Sequence, residues 1–200
     1  MEKSKNISIF WFRQDLRISD NPGLTQAVES GNVLPIYILD DVNAMDNEMG
    51  AASRWWLNHS LKNLNKKLGN KLNFYKGNPK DIFDKLGEEF NISSIFWNRC
   101  YEPWRINRDK DLKQSFEDNG IIVRTFNGSL LWEPWNILKN DGTPYRVFSP
   151  YYKRGCLNAQ PPREPLKEPN LDNVLSHPTY ESSIEDLNLL PSIPWFHKME

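Results

Sequence analysis

Residues 7–12 are apolar except at Ser8, and Arg13, Asp15, Arg17 and Asp20 follow within the next eight positions. An apolar run that stops at a charge cluster predicts a buried strand carrying those charges to the edge of a sheet. Helix and strand signals then alternate. Asn21-Pro22 reads as an N-cap and first helical residue, with a helix to about Ser30 and a stop at Gly31-Asn32. Residues 33–39 read as a second strand, with Pro35 expected to leave its start short or irregular. The clearest helix spans residues 50–68, where Leu57, Leu61, Leu64 and Leu68 share one stripe and Gly69-Asn70 closes the end. Residues 71–75 form a third strand, and Asn78-Pro79 opens a helix to about Phe90. Residues 93–97 form a fourth strand, a helix runs from Pro103 to about Asp118, and residues 121–126 form a fifth strand.

Strands separated by helices of this length predict βαβ units and a parallel sheet. Right-handed crossovers then favour an α/β fold: a doubly wound, Rossmann-like five-stranded sheet in the order 3-2-1-4-5, with helices on both faces. After Gly128 the pattern changes. Residues 130–150 are aromatic and irregular, and Ser149-Pro150 predicts a short helix near residues 151–157. Pro161, Pro162, Pro165 and Pro169 give residues 158–170 a linker composition. Residues 171–200 have only scattered apolars, Leu187, Leu189, Leu190 and Ile193, and read as a covering or connecting segment. The expected division is an α/β domain over residues 1–130 and a connecting segment over 131–200.

At 200 residues the chain suits one domain. Lys and Arg number 25 against 26 Asp and Glu, for a net charge of −1, which is not the cationic footprint of a protein that grips DNA by its phosphates. Cys100 and Cys156 make no disulfide framework, so a reducing, cytoplasmic setting is expected. The first residues have no apolar core of a signal peptide, and no run approaches a membrane span. His59, His177 and His197 are scattered, so no metal site is expected. No Gly-x-Gly-x-x-Gly follows a strand and no Gly-x-x-x-x-Gly-Lys-Ser/Thr occurs, so no pyrophosphate cradle is supported. No nucleophile–base pair is visible either, and no catalytic residue is assigned.

Arg13, Asp15, Arg17 and Asp20 compensate one another, which favours a structural ion network over a ligand site. Arg54, near the start of the 50–68 helix and at the edge of its leucine stripe, either reaches over a pocket or covers the stripe with its stem. Trp55 points away from the stripe and is expected to meet another segment or domain, and Trp56 flanks the stripe. Leu39 and Asp40 end the second strand, and Cys100, Tyr101, Glu102 and Trp104 follow the fourth. With the exit of the first strand, the fourth flanks the expected switch point of the sheet, where ligands of such folds bind. Glu102 there is suited to accept from the N–H of a heterocycle, with Tyr101 or Trp104 on the ring face. Cys100 has no neighbouring histidine and is not read as a catalytic thiol.

Trp11-Phe-Arg-Gln-Asp-Leu-Arg17 with Asp20-Asn21 resembles the N-terminal signature of the DNA photolyase and cryptochrome family. Further similar motifs follow in order: Ala51-Ala-Ser-Arg-Trp-Trp-Leu57, Tyr101-Glu-Pro-Trp104, Arg108-Asp109, Phe126-Asn-Gly-Ser-Leu-Leu131 and Pro144-Tyr-Arg-Val-Phe-Ser-Pro150. The resemblance spans roughly residues 7–150. It implies a domain holding an antenna chromophore, which is 8-hydroxy-5-deazaflavin, a flavin or 5,10-methenyltetrahydrofolate. That antenna feeds excitation to an FAD in a helical C-terminal domain, which repairs damaged DNA. The FAD domain is absent from these 200 residues, so partner DNA and FAD belong to a longer protein. Folate-binding members hold the pterin with an Asn-Glu pair just after this Tyr-Glu, where Trp104-Arg105 stand here. Deazaflavin-binding members carry an arginine corresponding to Arg54 and an aromatic after Glu-Pro, but tend to have Asp where Cys100 stands. A cryptochrome photoreceptor is the alternative within the family, and a nucleotide-binding α/β module is the alternative outside it.

Overall fold

The computed structural model describes residues 4–177, 183–193 and 195–196. Strands β1 (Ser4–Phe12), β2 (Val33–Leu39), β3 (Asn73–Lys76), β4 (Phe90–Asn98) and β5 (Ile122–Phe126) make one sheet. Their order is β3-β2-β1-β4-β5 and every pairing is parallel, as the alternation of elements predicts. Helices α1 (Pro22–Glu29), α2 (Ala51–Lys67), α3 (Pro79–Glu89) and α4 (Pro103–Asp118) make the crossovers. Two of them start as the sequence predicts: Asn21 Oδ1 accepts from Leu24 N at 3.0 Å, and Asn78 Oδ1 from Lys80 N at 3.1 Å.

The two-residue period of the strands splits the interior into two layers. Phe10, Phe12, Tyr37 and Phe96 pack with α1 and with Leu57, Leu61, Leu64 and Leu68 of the α2 stripe. Ile9, Trp11, Ile36, Ile38, Ile95 and Trp97 pack with Phe83 and Leu86 of α3 and Leu112 and Phe116 of α4. Strands buried on both faces read as continuous apolar runs, and these do.

Pro35 does not disturb β2, contrary to the sequence expectation: all seven residues are buried and Pro35 sits in register with Phe10. Its carbonyl faces β3 and accepts from Asn73 Nδ2 at 3.0 Å, and β3 pairing begins only at Ile36–Asn73. The missing N–H therefore faces a place where no ladder has begun. The helix expected at 151–157 also differs. A turn at Phe148–Pro150 widens over Tyr151–Gly155 and tightens again at Cys156–Asn158. Gly155 is pressed against Ile137, whose Cγ2 would lie 2.6 Å from a Cβ at that position.

The proline-rich stretch lies across the front of α1 as a strap. Asp20 N donates to Leu166 O at 2.9 Å, and Leu166 N returns to Asp20 Oδ1 at 3.1 Å. Farther on, Val33 N donates to Asn173 O at 2.9 Å and Leu175 N to Val33 O at 2.8 Å, fastening the strap to the start of β2. Leu187 and Leu189 join the α2 layer. Trp55, on the far side of α2 from the stripe, is only 8% exposed because the rings of Trp195 and Phe196 cover it at 6.3 and 6.1 Å. His197 lies outside the described residues. Among the described residues no helix is long and apolar enough to cross a membrane, and no group of three or more His, Cys, Asp or Glu could hold a metal ion.

Candidate functional site

The charge cluster after β1 is a plug. Asn98, the last residue of β4, is 1% exposed and donates to Asp15 Oδ2 at 2.6 Å and to Asn21 Oδ1 at 2.7 Å. It also accepts from Gly23 N at 3.1 Å. A Cβ at Gly23 would sit 2.8 Å from Asn98 Oδ1 and one at Gly128 2.5 Å from Asn98 Cγ, so both chains must be glycine to close on it. Arg13 donates from Nη2 to Asn98 O at 2.8 Å and pairs with Asp109 of α4. Arg17 donates to Asp20 O at 2.7 Å and to Gly128 O. Asp20 pairs with Arg163 of the strap. Burial opposes ionisation of Asp20, but Arg163 and the Leu166 N–H outweigh it and hold the carboxyl below the usual value. These contacts fill the crevice between the ends of β1 and β4, where the fold alone would put a ligand.

The hollow lies one strand over. Above the ends of β1 and β2, between α2 and the first turns of α4, is a cavity of about 580 Å³, within the range of small-molecule sites. Trp11, Tyr37 and Leu39 floor it, Ser53, Trp56, Ser60 and Asn63 line it from α2, and Trp104, Arg105 and Arg108 from α4. The spacing of the α2 group, three to four residues apart, puts all of it on one face. Asp40 is held at the rim by Arg108 Nη1 at 2.8 Å.

The chemistry of this hollow suits a flat anion. Among the described residues Arg13, Arg17, Arg105 and Arg108 line it with Asp40 and Asp41, and Asp109 and Glu102 pair with those arginines from behind the lining. Trp56 is 69% exposed, a large apolar face that meets Trp55 at 6.4 Å between ring centres and is otherwise open. Arg105 Nε and Glu102 Oε2 are both buried without a hydrogen-bond partner, 3.7 Å apart. Burial opposes ionisation of Glu102, yet its own backbone N–H, Arg105 and Gln14 hold it below the usual carboxylate range. Tyr37 is driven the other way, its phenol kept protonated chiefly by burial.

A profile of the DNA photolyase family matches residues 8–170. This chain belongs to that family. It is 36% identical over 192 residues to a deoxyribodipyrimidine photo-lyase of Agrobacterium fabrum, covering 93% of this chain and 39% of that protein. It is also 36% identical over 156 residues to Cryptochrome-2 of Arabidopsis thaliana, covering 76% of this chain and 25% of that one. The crystal structure of a bacterial class III photolyase from Agrobacterium tumefaciens superposes with a TM-score of 0.84 at 34% identity, over 99% of this chain and 41% of that one. The chain therefore spans about two-fifths or less of the length of these photolyase-family relatives.

Within this family domain the sequence-derived candidates separate. Leu39, Asp40 and Trp104 line the hollow. Arg54 does not: its guanidinium bonds Asp41 at 3.0 Å and Met49 O at 2.8 Å, so it pins the loop after β2 that carries Asp41, Ala44 and Asn47 to the rim. Glu102 lies behind the wall and accepts from Gln14 at 2.7 Å. Tyr101 donates to Glu133 at 2.8 Å, and burial and that carboxylate push its phenol up to about 12. Cys100 is buried, with Arg105 Nη1 3.5 Å from its sulfur. Sequence reasoning passed over Trp11, Tyr37, Ser53, Ser60, Asn63, Arg105 and Arg108 as lining residues. The i, i+3, i+4, i+7 run of Ser53, Trp56, Leu57 and Ser60 was the available signal, because small polar residues interrupt that face beside an unburied tryptophan.

Proposed function

We propose that this chain is the light-harvesting domain of a deoxyribodipyrimidine photolyase and that the hollow between α2 and α4 holds its antenna chromophore. The observation that carries this reading is the largely exposed Trp56 face across from Trp104, over a cavity lined by four arginines and two aspartates. A flavin, an 8-hydroxy-5-deazaflavin or a 5,10-methenyltetrahydrofolate has a conjugated ring for the indoles and negative charge for the arginines. Bound there, such a group absorbs near-ultraviolet or blue light. The chain supplies the rest: Trp56 and Trp104 set the ring plane, Arg105 and Arg108 meet the anionic end, and Ser53, Ser60 and Asn63 offer hydrogen bonds along α2. In this reading a helical FAD domain on the longer protein receives the energy and repairs pyrimidine dimers in DNA in the cytoplasm. Equal identity to Cryptochrome-2 supports a second reading, the same antenna domain in a blue-light photoreceptor.

Titration of the chain with each of the three chromophores, and separately with ATP, tests the proposal by absorbance and thermal shift. Saturable binding of one chromophore is expected, weakened about tenfold by Trp56→Ala through loss of one stacked ring. Tight ATP binding with no chromophore binding would instead place the chain among nucleotide-binding modules.

A further inference from the structure

The tryptophans that wall the hollow on the sheet and α4 sides each carry guanidinium groups on their faces. Arg108 Cζ lies 4.8 Å from the Trp11 ring centre and 5.2 Å from that of Trp104. Arg105 Cζ lies 4.8 Å from Trp104. Arg13 Cζ lies 5.1 Å from Trp11 and 5.8 Å from Trp97, and Trp97 meets Trp11 edge to face at 5.9 Å. Three indoles and three cations thus interleave from the sheet interior to the cavity wall. Asp40, Asp109 and Glu102 hold the guanidinium nitrogens at their edges, while the charge centres stay over the rings. Packing does not require this. Buried ion pairs of this kind are often no more stabilising than apolar side chains of the same volume.

What the arrangement does change is the ease of oxidising the rings. Indole is among the readiest electron donors of the common side chains. In contact with a light-excited flavin or pterin it passes one electron to that pigment and becomes a radical cation. The electron then returns and the excitation ends as heat. A guanidinium about 5 Å from the ring repels the radical cation, and does so strongly where water is excluded. We propose that Arg13, Arg105 and Arg108 are positioning cations that prevent Trp11, Trp97 and Trp104 from donating an electron to an excited chromophore in the hollow, so that its excitation survives to be transferred. This rests on the chromophore reading above. Among the described residues Trp56 has no guanidinium on its face, so every lifetime is read in a Trp56→Phe background, which keeps an aromatic face and removes this unguarded donor.

The test is the fluorescence lifetime of flavin mononucleotide bound to the 200-residue chain, with 5,10-methenyltetrahydrofolate as a second probe. Lifetime does not depend on the fraction bound once the free component is resolved. Arg105→Gln removes the nearest cation from Trp104 and gives up a 3.7 Å ion pair and a 3.5 Å contact to Cys100 Sγ, with thermal unfolding of each variant checking that the fold survives. The bound lifetime is expected to fall about twofold or more in Arg105→Gln. It is expected to stay near the Trp56→Phe background value in Arg105→Lys, which keeps the charge, and to recover in Arg105→Gln/Trp104→Phe, which removes the donor. A bound probe whose lifetime is unchanged by Arg105→Gln, or stays short in the double variant, overturns the guarding role and leaves the chromophore site standing. Failure of wild type to bind either probe or 8-hydroxy-5-deazaflavin overturns both readings.

Discussion

Asn98 is the residue on which the strand ends converge. It has both glycine backbones against it and five hydrogen bonds through its side chain and carbonyl to Asp15, Asn21, Gly23 and, twice, Arg13. Asn98→Ala strips the buried Asp15 carboxylate of its shortest donor and leaves the Gly23 N–H without an acceptor. Desolvated groups left unpaired are costly, so a loss of about 3 kcal/mol in urea unfolding is expected with little change in slope. A loss under about 0.5 kcal/mol would mean that water replaces the side chain without penalty. The charges of Arg13, Asp15, Arg17 and Asp20 were legible as a cluster at a strand end, although Arg13 pairs with Asp109 and Asp20 with Arg163, and within the group the ion pair is Arg17–Asp20 at 3.8 Å. Asn98 as their hub was not, since a lone asparagine after a strand looks like any loop residue. Arg54 was misleading for a related reason. Its place on the helix was read correctly, but which acid it meets, Asp41 thirteen residues earlier, depends on how the intervening loop folds back.

At the level of elements, the sheet order was readable because the inner strands β1, β2 and β4 are largely buried apolar runs and each helix is punctuated by Asn-Pro, Gly or Pro. The strap was less readable: its prolines signal a linker, but its anchors are backbone bonds to Asp20 and Val33 that leave no side-chain pattern. The strap carries one titratable anchor. His177 is buried against Phe90, at 4.9 Å between rings, with Glu89 at 3.3 Å. Burial pushes the imidazole below its ordinary 6.5, and Glu89 only partly opposes this. The unfolded chain therefore binds a proton more readily than the folded one between the lowered value and 6.5, so stability rises with pH through that window and is level above it. Acidification from pH 7.5 to pH 5.5 is accordingly expected to lower the hydrogen-exchange protection factor of the Leu175 amide, which is bonded to Val33 O, more than those of the β1–β4 ladder, once the slower intrinsic exchange at low pH is divided out. His177→Phe keeps the ring contact and removes the pH effect. Equal acid sensitivity in wild type and His177→Phe would assign it to other groups.

Over the whole molecule, the distribution of positive charge separates the light-gathering reading from DNA contact. The net charge of −1 already disfavours phosphate binding, and several arginines are committed to acids. Arg13 and Arg108 share Asp109, Arg54 holds Asp41, Arg99 holds Glu133 at 2.6 Å, and Arg163 holds Asp20. Some exposed lysines are offset locally as well, Lys80 by Asp84 and Lys113 by Glu117. A groove that releases counterions from DNA needs several uncommitted cations on one surface, because affinity scales with the number of phosphates neutralised. A surface so compensated gives weak binding with a shallow salt dependence. The chain on its own is therefore expected to bind a thymine-dimer oligonucleotide no more tightly than about 0.1 mM at physiological salt, measured by fluorescence anisotropy. The same chain should still take up the antenna chromophore, since the arginines of that hollow face inward and are not spent on phosphates. Micromolar binding to the oligonucleotide, weakening steeply as salt rises, would put a DNA surface on this domain and end the division of labour proposed for it.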